Sequence, residues 1–178
     1  MKNLTLNILL IFWAAVSTAG VPTTQLTETD AIRWDSSLTL PQIDGKPNIG
    51  IAGVFSGRID GKLLIAGGAN FPDRTPAANG EKKYHRDLYI YDTSQGWQII
   101  PDALPAPRAY GVSVTLPEGV LCIGGCNAEE CTNQVLLLTL DGNQPRLTPW
   151  PPLPRPLANA AGALVGHRIY VAGRIEEE

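Results

Sequence analysis

The chain has 178 residues and a formal net charge of −3 at pH 7, with 44% hydrophobic and 17% charged residues. This is an ordinary composition for a soluble globular protein. Neither a basic cluster nor a recognition motif is present in the sequence. We therefore expect no nucleic-acid partner.

The first 19 residues have the pattern of an export signal. Lys2 supplies a positive charge, residues 4–16 form an apolar run with two polar interruptions, and residues 17–19 are small. This pattern is typical of a cleaved signal peptide, and the run is too short for a membrane-spanning helix. We predict cleavage after Ala19 and no stable membrane insertion of the mature chain; an uncleaved membrane anchor is the alternative.

A polar lead-in at residues 20–33 precedes the domain that we place at residues 34–178. Trp34 stands near the start of this domain, and Trp97 and Trp150 occur later in the same local setting, each followed by a Leu-Pro pair. We interpret these tryptophans as markers of an outermost strand. Trp34 would then add one outer strand to a sheet whose other strands lie elsewhere.

One sequence pattern occurs three times. Residues 104–125 align without a gap with residues 153–174, 49 positions later. The second strand of this segment, residues 120–125, also aligns with residues 63–68, 57 positions earlier. Each copy is a short apolar run that ends at glycine. A period near 50 residues made of strands predicts an all-β fold, a β-propeller of the kelch type. Three unrelated hairpins in a β-sandwich are the alternative.

The first predicted blade has four strands, at residues 48–58, 63–68, 87–92 and 97–100. Its second and third strands are joined by residues 69–86, a polar segment rich in turn-forming residues. Loops of this length are uncommon unless they are functional. We therefore expect this loop to contribute to a site.

The second predicted blade spans residues 108–150, and a third begins at Leu157 and has only two strands. Closed propellers need about four to eight blades. We therefore expect a partial propeller of about two and a half blades, as a truncated form of a longer protein. The rival interpretation is a small unit that closes by oligomerising. Arg174 departs from the repeat, because it stands where the second glycine is expected.

The three cysteines have different settings. Cys122 lies in an apolar strand and is expected to be inert, whereas Cys126 and Cys131 flank a four-residue loop. In an exported protein these two would form a disulfide, or they would remain free thiols; the sequence favours neither. His85 and His167 lack the spacing of zinc ligands, so we expect no metal site.

Strand connectivity predicts which residues share one rim of the propeller. In a four-stranded meander, the end of the second strand, the loop after it and the start of the first strand lie on the same face. The expected rim residues are Asn70, Lys82, Lys83, Tyr84, His85, Arg108, Tyr110, Asn127 and Asn159. Arg108 and Tyr110 begin an innermost strand and should line the mouth of the central channel. His167 falls in a turn on the opposite face and should be plain surface.

Three stretches carry a resemblance to a known family. Residues 53–73, 108–113 and 121–125, with the motifs GGANFPD and RAYG, are similar to the kelch-type N-acetylneuraminate epimerases, or sialic acid mutarotases. The similarity is greatest to the cyclically permuted branch and covers residues 34–173. It implies a six-bladed protein of the bacterial periplasm that interconverts the anomers of sialic acid without a cofactor. This chain would hold less than half of such a propeller.

The resemblance also implies roles for the rim residues. Mutarotation opens and recloses the sugar ring and needs an acid and a base. Arg108 is the candidate clamp for the sugar carboxylate, unless it is a structural arginine that binds loop carbonyls. His85 is the candidate for proton exchange. The residues expected to bind the sugar hydroxyls are Tyr110, Asn70, Asn127 and Asn159.

A second function is compatible with the same pattern. Propellers serve many purposes, so the fold alone does not decide between them. The alternative is a non-catalytic kelch module that binds a glycan or a protein partner. The oligomeric state is left open.

Overall fold

The computed structural model describes residues 38–43 and 45–173. The predicted export signal, the lead-in, Trp34 and Arg174 lie outside these described residues, so these predictions and the domain boundaries remain predictions. Among the described residues the regular structure consists of strands, apart from one 3-10 turn at Pro76–Ala78. The all-β prediction is therefore confirmed.

The first blade is a four-stranded antiparallel sheet in the order β1-β2-β5-β6. Two short strands, β3 and β4, pair with each other inside the connection between β2 and β5. The bounds are β1 Phe55–Ile59, β2 Lys62–Ala66, β3 Ala69–Asn70, β4 Lys83–Tyr84, β5 Leu88–Asp92 and β6 Gly96–Ile100.

The second blade repeats this order with four consecutive strands, β7 to β10, and a hairpin of β11 and β12 follows. The arrangement is that of a partial kelch-type propeller, as predicted. The bounds are β7 Val112–Leu116, β8 Gly119–Ile123, β9 Val135–Asp141, β10 Gln144–Trp150, β11 Ala160–Val165 and β12 Arg168–Gly173.

The edge strands carry the marker tryptophans. Trp97 lies in β6 and Trp150 ends β10, and both strands are the outermost of their sheets. The predicted first strand, residues 48–58, is shorter than expected and begins only at Phe55. Gly53 has a φ of 63°, which interrupts the extended backbone two residues before the ladder starts.

Two apolar layers hold the sheets together. Val120 and Cys122 of β8 join a core shared with β1, β2 and β5, while Leu121 and Ile123 join a second core that includes side chains of β11 and β12. Successive side chains of a strand point to opposite faces. Because both faces of β8 are covered, all five of its residues are buried. This explains why its sequence is apolar throughout rather than alternating.

Candidate functional site

A glycine pair fixes the backbone where each blade meets the next. Gly67 and Gly124 have φ values of 64° and 61°, and a Cβ on either would lie 2.3 Å from a backbone oxygen, that of Arg108 or Leu157. The glycine that follows each of them donates its N–H to the same oxygen, at 2.8 and 2.7 Å. No side chain fits at the first position of the pair. The pair therefore sets where the next blade begins.

The starts of the three innermost strands are linked in series. Gly53, Tyr110 and Asn159 all have left-handed backbones, with φ values of 63°, 61° and 51°. Tyr110 N–H donates to Gly53 O at 2.7 Å, and Asn159 N–H donates to Tyr110 O at 2.8 Å. A tyrosine at positive φ is uncommon, because its Cβ crowds the backbone. This arrangement orients the Tyr110 side chain at the rim.

Asn70 and His85 form a hydrogen-bonded pair beside Tyr110. The Asn70 Nδ2 group donates to Gly50 O at 2.9 Å, and Asn70 Oδ1 lies 2.9 Å from His85 Nε2. An amide oxygen only accepts, so His85 Nε2 carries the proton in this arrangement and Nδ1 is left as an acceptor. Burial, with a contribution from the charge of Lys83, lowers the pKa of His85. The imidazole is therefore neutral near pH 7 and is suited to accept a proton.

Three aromatic rings surround the ammonium group of Lys82. Its Nζ lies 5.0 Å from the ring centre of Tyr110, 5.6 Å from that of Phe71 and 5.8 Å from that of Tyr84. Tyr84 and Tyr110 also pack edge to face, with centroids 6.3 Å apart. The ring faces attract the cation. We refer to Phe71, Lys82, Tyr84 and Tyr110 as the Lys82 aromatic cluster.

The charge of Lys82 is retained at neutral pH. Burial lowers the pKa of Lys82, but its hydrogen bond and charge interaction with Tyr110 more than offset this, so the pKa is raised overall. The side chain is exposed to solvent. The cluster therefore presents a positioned and accessible positive charge.

The Lys82 aromatic cluster borders two cavities. The larger, of about 630 Å³, is lined by Lys82 and Tyr84 together with Asn127 and three carboxylate residues. The second, of about 390 Å³, is lined by Asn70, Phe71 and Tyr110. Volumes in this range are usual for sites that bind small molecules.

Arg108 has a more enclosed position than the sequence suggested. Its side chain is only 6% exposed, one Nη group donates to Gln134 Oε1, and its backbone N–H donates to His85 O at 3.0 Å. The other Nη group is buried and has no hydrogen-bond partner among the described residues. Burial lowers the pKa of Arg108. The guanidinium borders a small cavity of about 80 Å³ rather than the two larger ones. Its role as a carboxylate clamp remains a prediction.

The two other predicted asparagines take different positions. Asn127 Oδ1 accepts the backbone N–H groups of Glu129 and Glu130, both at 2.8 Å, and the residue lines the cavity of about 630 Å³. Asn159 is exposed, and its backbone contacts Tyr110. His167 lies exposed in the turn between β11 and β12. The structure thus brings Asn70, His85 and Tyr110 together and places Asn127 on a neighbouring wall.

Sequence reasoning missed two residues of this region and gave two others no role. Phe71 and Gln134 were not identified, although Phe71 follows Asn70 directly in the GGANFPD motif. Lys82 and Tyr84 were expected on the rim without a function. Periodicity locates strands, but it carries no information on contacts made by an irregular loop.

No helix among the described residues has the length and apolar character needed to cross a membrane. Within the same part of the chain, no group of three or more His, Cys, Asp or Glu side chains is arranged to hold a metal ion.

Several curated relatives of this chain are named N-acetylneuraminate epimerase. The N-acetylneuraminate epimerase of Vibrio cholerae is 38% identical over 120 residues, which cover 62% of this chain and 31% of the relative. The N-acetylneuraminate epimerase of Brucella melitensis is 32% identical over 123 residues, which cover 63% of this chain and 31% of that relative. The chain therefore spans about a third of the length of the curated relatives it matches. The solved structure of YjhT has a TM-score of 0.50 and 28% sequence identity, covering 61% of this chain and 33% of that one.

A family-wide match extends over a longer segment. The sequence model of the family described as N-acetylneuraminate epimerase matches residues 13–147, well over half of the chain. The kelch-type blades and the pairwise similarities agree with this match. The chain belongs to the N-acetylneuraminate epimerase family.

Proposed function

We propose that this chain carries part of the sugar-binding site of an N-acetylneuraminate epimerase, which interconverts the α and β anomers of sialic acid. The family match supports the activity. The observation that carries the site is the Lys82 aromatic cluster at the edge of a cavity of about 630 Å³. We also propose, from residues 1–19, that the protein is exported to the periplasm.

The substrate carries a carboxylate that needs a cationic partner. Lys82 is exposed and held by three rings, whereas Arg108 is buried and already bound to Gln134. A charge-assisted contact is stronger than a neutral hydrogen bond. We assign the first contact of the sugar carboxylate to Lys82, and the phenol groups of Tyr84 and Tyr110 to the sugar hydroxyls.

Ring opening requires one group that takes the anomeric proton and another that protonates the ring oxygen. His85 has a lowered pKa, and its Nδ1 is the acceptor nitrogen of the ring, so it is assigned to proton exchange. Three carboxylates line the larger cavity and are the candidates for its counterpart: Asp73, Glu81 and Glu129. The expectation that the 178-residue chain is inactive by itself remains a prediction.

Saturation-transfer NMR with N-acetylneuraminate tests the binding site. Lys82→Met should weaken binding roughly tenfold, because it removes one charge-assisted contact. The matched control is Lys46→Met, which removes an exposed lysine that lines neither of the two cavities. N-acetylmannosamine lacks the carboxylate, so its binding should be insensitive to both changes. Equal affinity of the two variants for N-acetylneuraminate would contradict the assignment.

Anomer exchange, followed by NMR on freshly dissolved sialic acid, tests catalysis separately. Acceleration above the buffer rate would show that the chain is an epimerase on its own. Binding without acceleration would favour a glycan-binding kelch module or an incomplete catalytic site.

A further inference from the structure

The loop after β8 places two cysteines opposite each other. Cys126 and Cys131 form an isolated antiparallel bridge. Outside the pair, Thr132 N–H donates to Gly125 O at 2.9 Å. Inside the loop between the cysteines, Asn127 N–H donates to Glu130 O at 2.9 Å. The cysteines therefore form a non-hydrogen-bonded pair, in which the Cα atoms are about 4.5 Å apart. Disulfides span Cα separations of about 4.4–6.8 Å.

The two thiols lie close enough to interact. Besides burial, the proximity of Cys131 contributes to the raised pKa of Cys126, and both residues are half-buried. Cys126 is anchored by two backbone hydrogen bonds of 2.8 Å to Ala109, at the start of the second blade. Cys122 is the third cysteine, and it is fully buried in the core. The pair is thus distinct from the structural thiol.

The turn between the cysteines is held in place from within. Asn127 Oδ1 accepts the N–H groups of Glu129 and Glu130, each at 2.8 Å. A turn that is ordered before oxidation reduces the entropy lost when the ring closes. We propose that Cys126 and Cys131 form a disulfide, a covalent modification site that closes the rim loop of the second blade. This inference does not depend on the proposed function.

A small-molecule disulfide such as oxidised glutathione can serve as the two-electron oxidant for this bond. One protein thiolate attacks a donor sulfur, expels a glutathione thiolate and leaves a mixed disulfide. The second thiolate then attacks the protein sulfur of that mixed disulfide, forms the Cys126–Cys131 bond and releases the second glutathione. The protein loses two electrons and two protons, and the donor is reduced to two thiols.

The reaction should be slow at neutral pH. Burial and the proximity of Cys131 raise the pKa of Cys126 to about 11. Only the thiolate is nucleophilic, so the rate of oxidation should rise as the pH increases towards that value. The disulfide would fix the wall of the cavity that Asn127 and Glu129 line.

The test uses the full chain, equilibrated in mixtures of reduced and oxidised glutathione and then alkylated in denaturant. One alkylated cysteine, Cys122, is expected under oxidising conditions. A glutamate-specific protease cuts after Glu129 and Glu130, and the resulting segments should stay joined until reductant is added. Three alkylated cysteines at every glutathione ratio, or segments that separate without reductant, would overturn the proposal.

Variants sharpen this test. Cys122→Ala should leave no alkylatable thiol in the oxidised state. Cys131→Ser lacks the second attacking thiolate, so it should form no internal bridge and should hold Cys126 as an alkylatable thiol or as a mixed disulfide with one glutathione, which mass spectrometry distinguishes. Asn127→Ala should need a roughly fivefold to tenfold more oxidising mixture, because two hydrogen bonds that order the turn are lost. An unchanged midpoint would overturn the role given to this turn. Far-UV circular dichroism checks that each variant retains its strands.

Discussion

The two complete blades share one backbone design and differ in one connection. Both follow the same strand order, and both end their second strand in a glycine pair of nearly identical conformation. In the first blade, the chain between β2 and β5 contains β3, β4 and the 3-10 turn. In the second blade, the corresponding connection contains only a bridged pair of cysteines. The repeated backbone builds the scaffold, and the variable connection carries the residues of the proposed site.

The blades also differ in burial. All five residues of β8 are buried, but only two of the five in β2 are. Among the described residues, β8 has an apolar layer on each face, shared with the first blade and with the final hairpin. Burial of a strand therefore depends on the neighbouring blades as well as on its own sequence.

The largest expected effect comes from the shared glycine position. Gly67→Ala and Gly124→Ala should each lower the free energy of unfolding by roughly 3 kcal/mol, because the new Cβ would strike a backbone oxygen. Gly142→Ala is the matched control, since Gly142 has a φ of 63° and no atom within 4 Å of its would-be Cβ. It should cost only about 1 kcal/mol. Urea denaturation measures all three; equal losses would show that steric contact between blades is not the cause.

A smaller loss of stability is expected at the repeat position of Arg108, where the blades carry different side chains. The positions equivalent to Arg108, 57 residues earlier and 49 later, are Ile51 and Leu157. The backbone thus accepts an apolar residue here. Arg108→Leu should nevertheless lower the free energy of unfolding by about 1–3 kcal/mol, since Gln134 loses its partner.

Adding Gln134→Leu to Arg108→Leu should recover most of this loss, because no polar group then remains unpaired. Thermal unfolding measures stability, and titration with N-acetylneuraminate measures binding. A clamp role for Arg108 predicts weak binding in both variants. If Arg108→Leu alone is as stable as the original chain, the structural role of Arg108 is contradicted.

The smallest effect concerns pH and the long connection of the first blade. Burial lowers the pKa of His85 in the folded chain. Below about pH 6.5, His85 therefore binds a proton more readily in the unfolded chain than in the folded chain. The free energy of unfolding should fall as the pH is lowered. His85→Gln should flatten this decline in thermal unfolding between about pH 7 and pH 5. His167→Gln, in the exposed turn, is the control and should leave the decline as it is. An identical decline in both variants would exclude His85 as its source.

The sequence predicted the fold from particular residues. The glycine pairs at the ends of β2 and β8 and the tryptophans at the edges identified the repeat and therefore the blades. It also grouped Asn70, His85 and Tyr110 on one rim, because connectivity decides which strand ends meet. It did not identify Phe71 or Gln134, since neither belongs to the repeat.

The sequence by itself determined the strand order, the turns and the family, because these depend on local periodicity and on glycines with a required backbone conformation. Only the tertiary structure decided that Arg108 is buried against Gln134 while Lys82 is exposed among three rings. It also decided that Cys126 faces Cys131 in a non-hydrogen-bonded register. Side-chain contacts between loops of different blades depend on how the blades pack, and no local pattern in the chain encodes that packing.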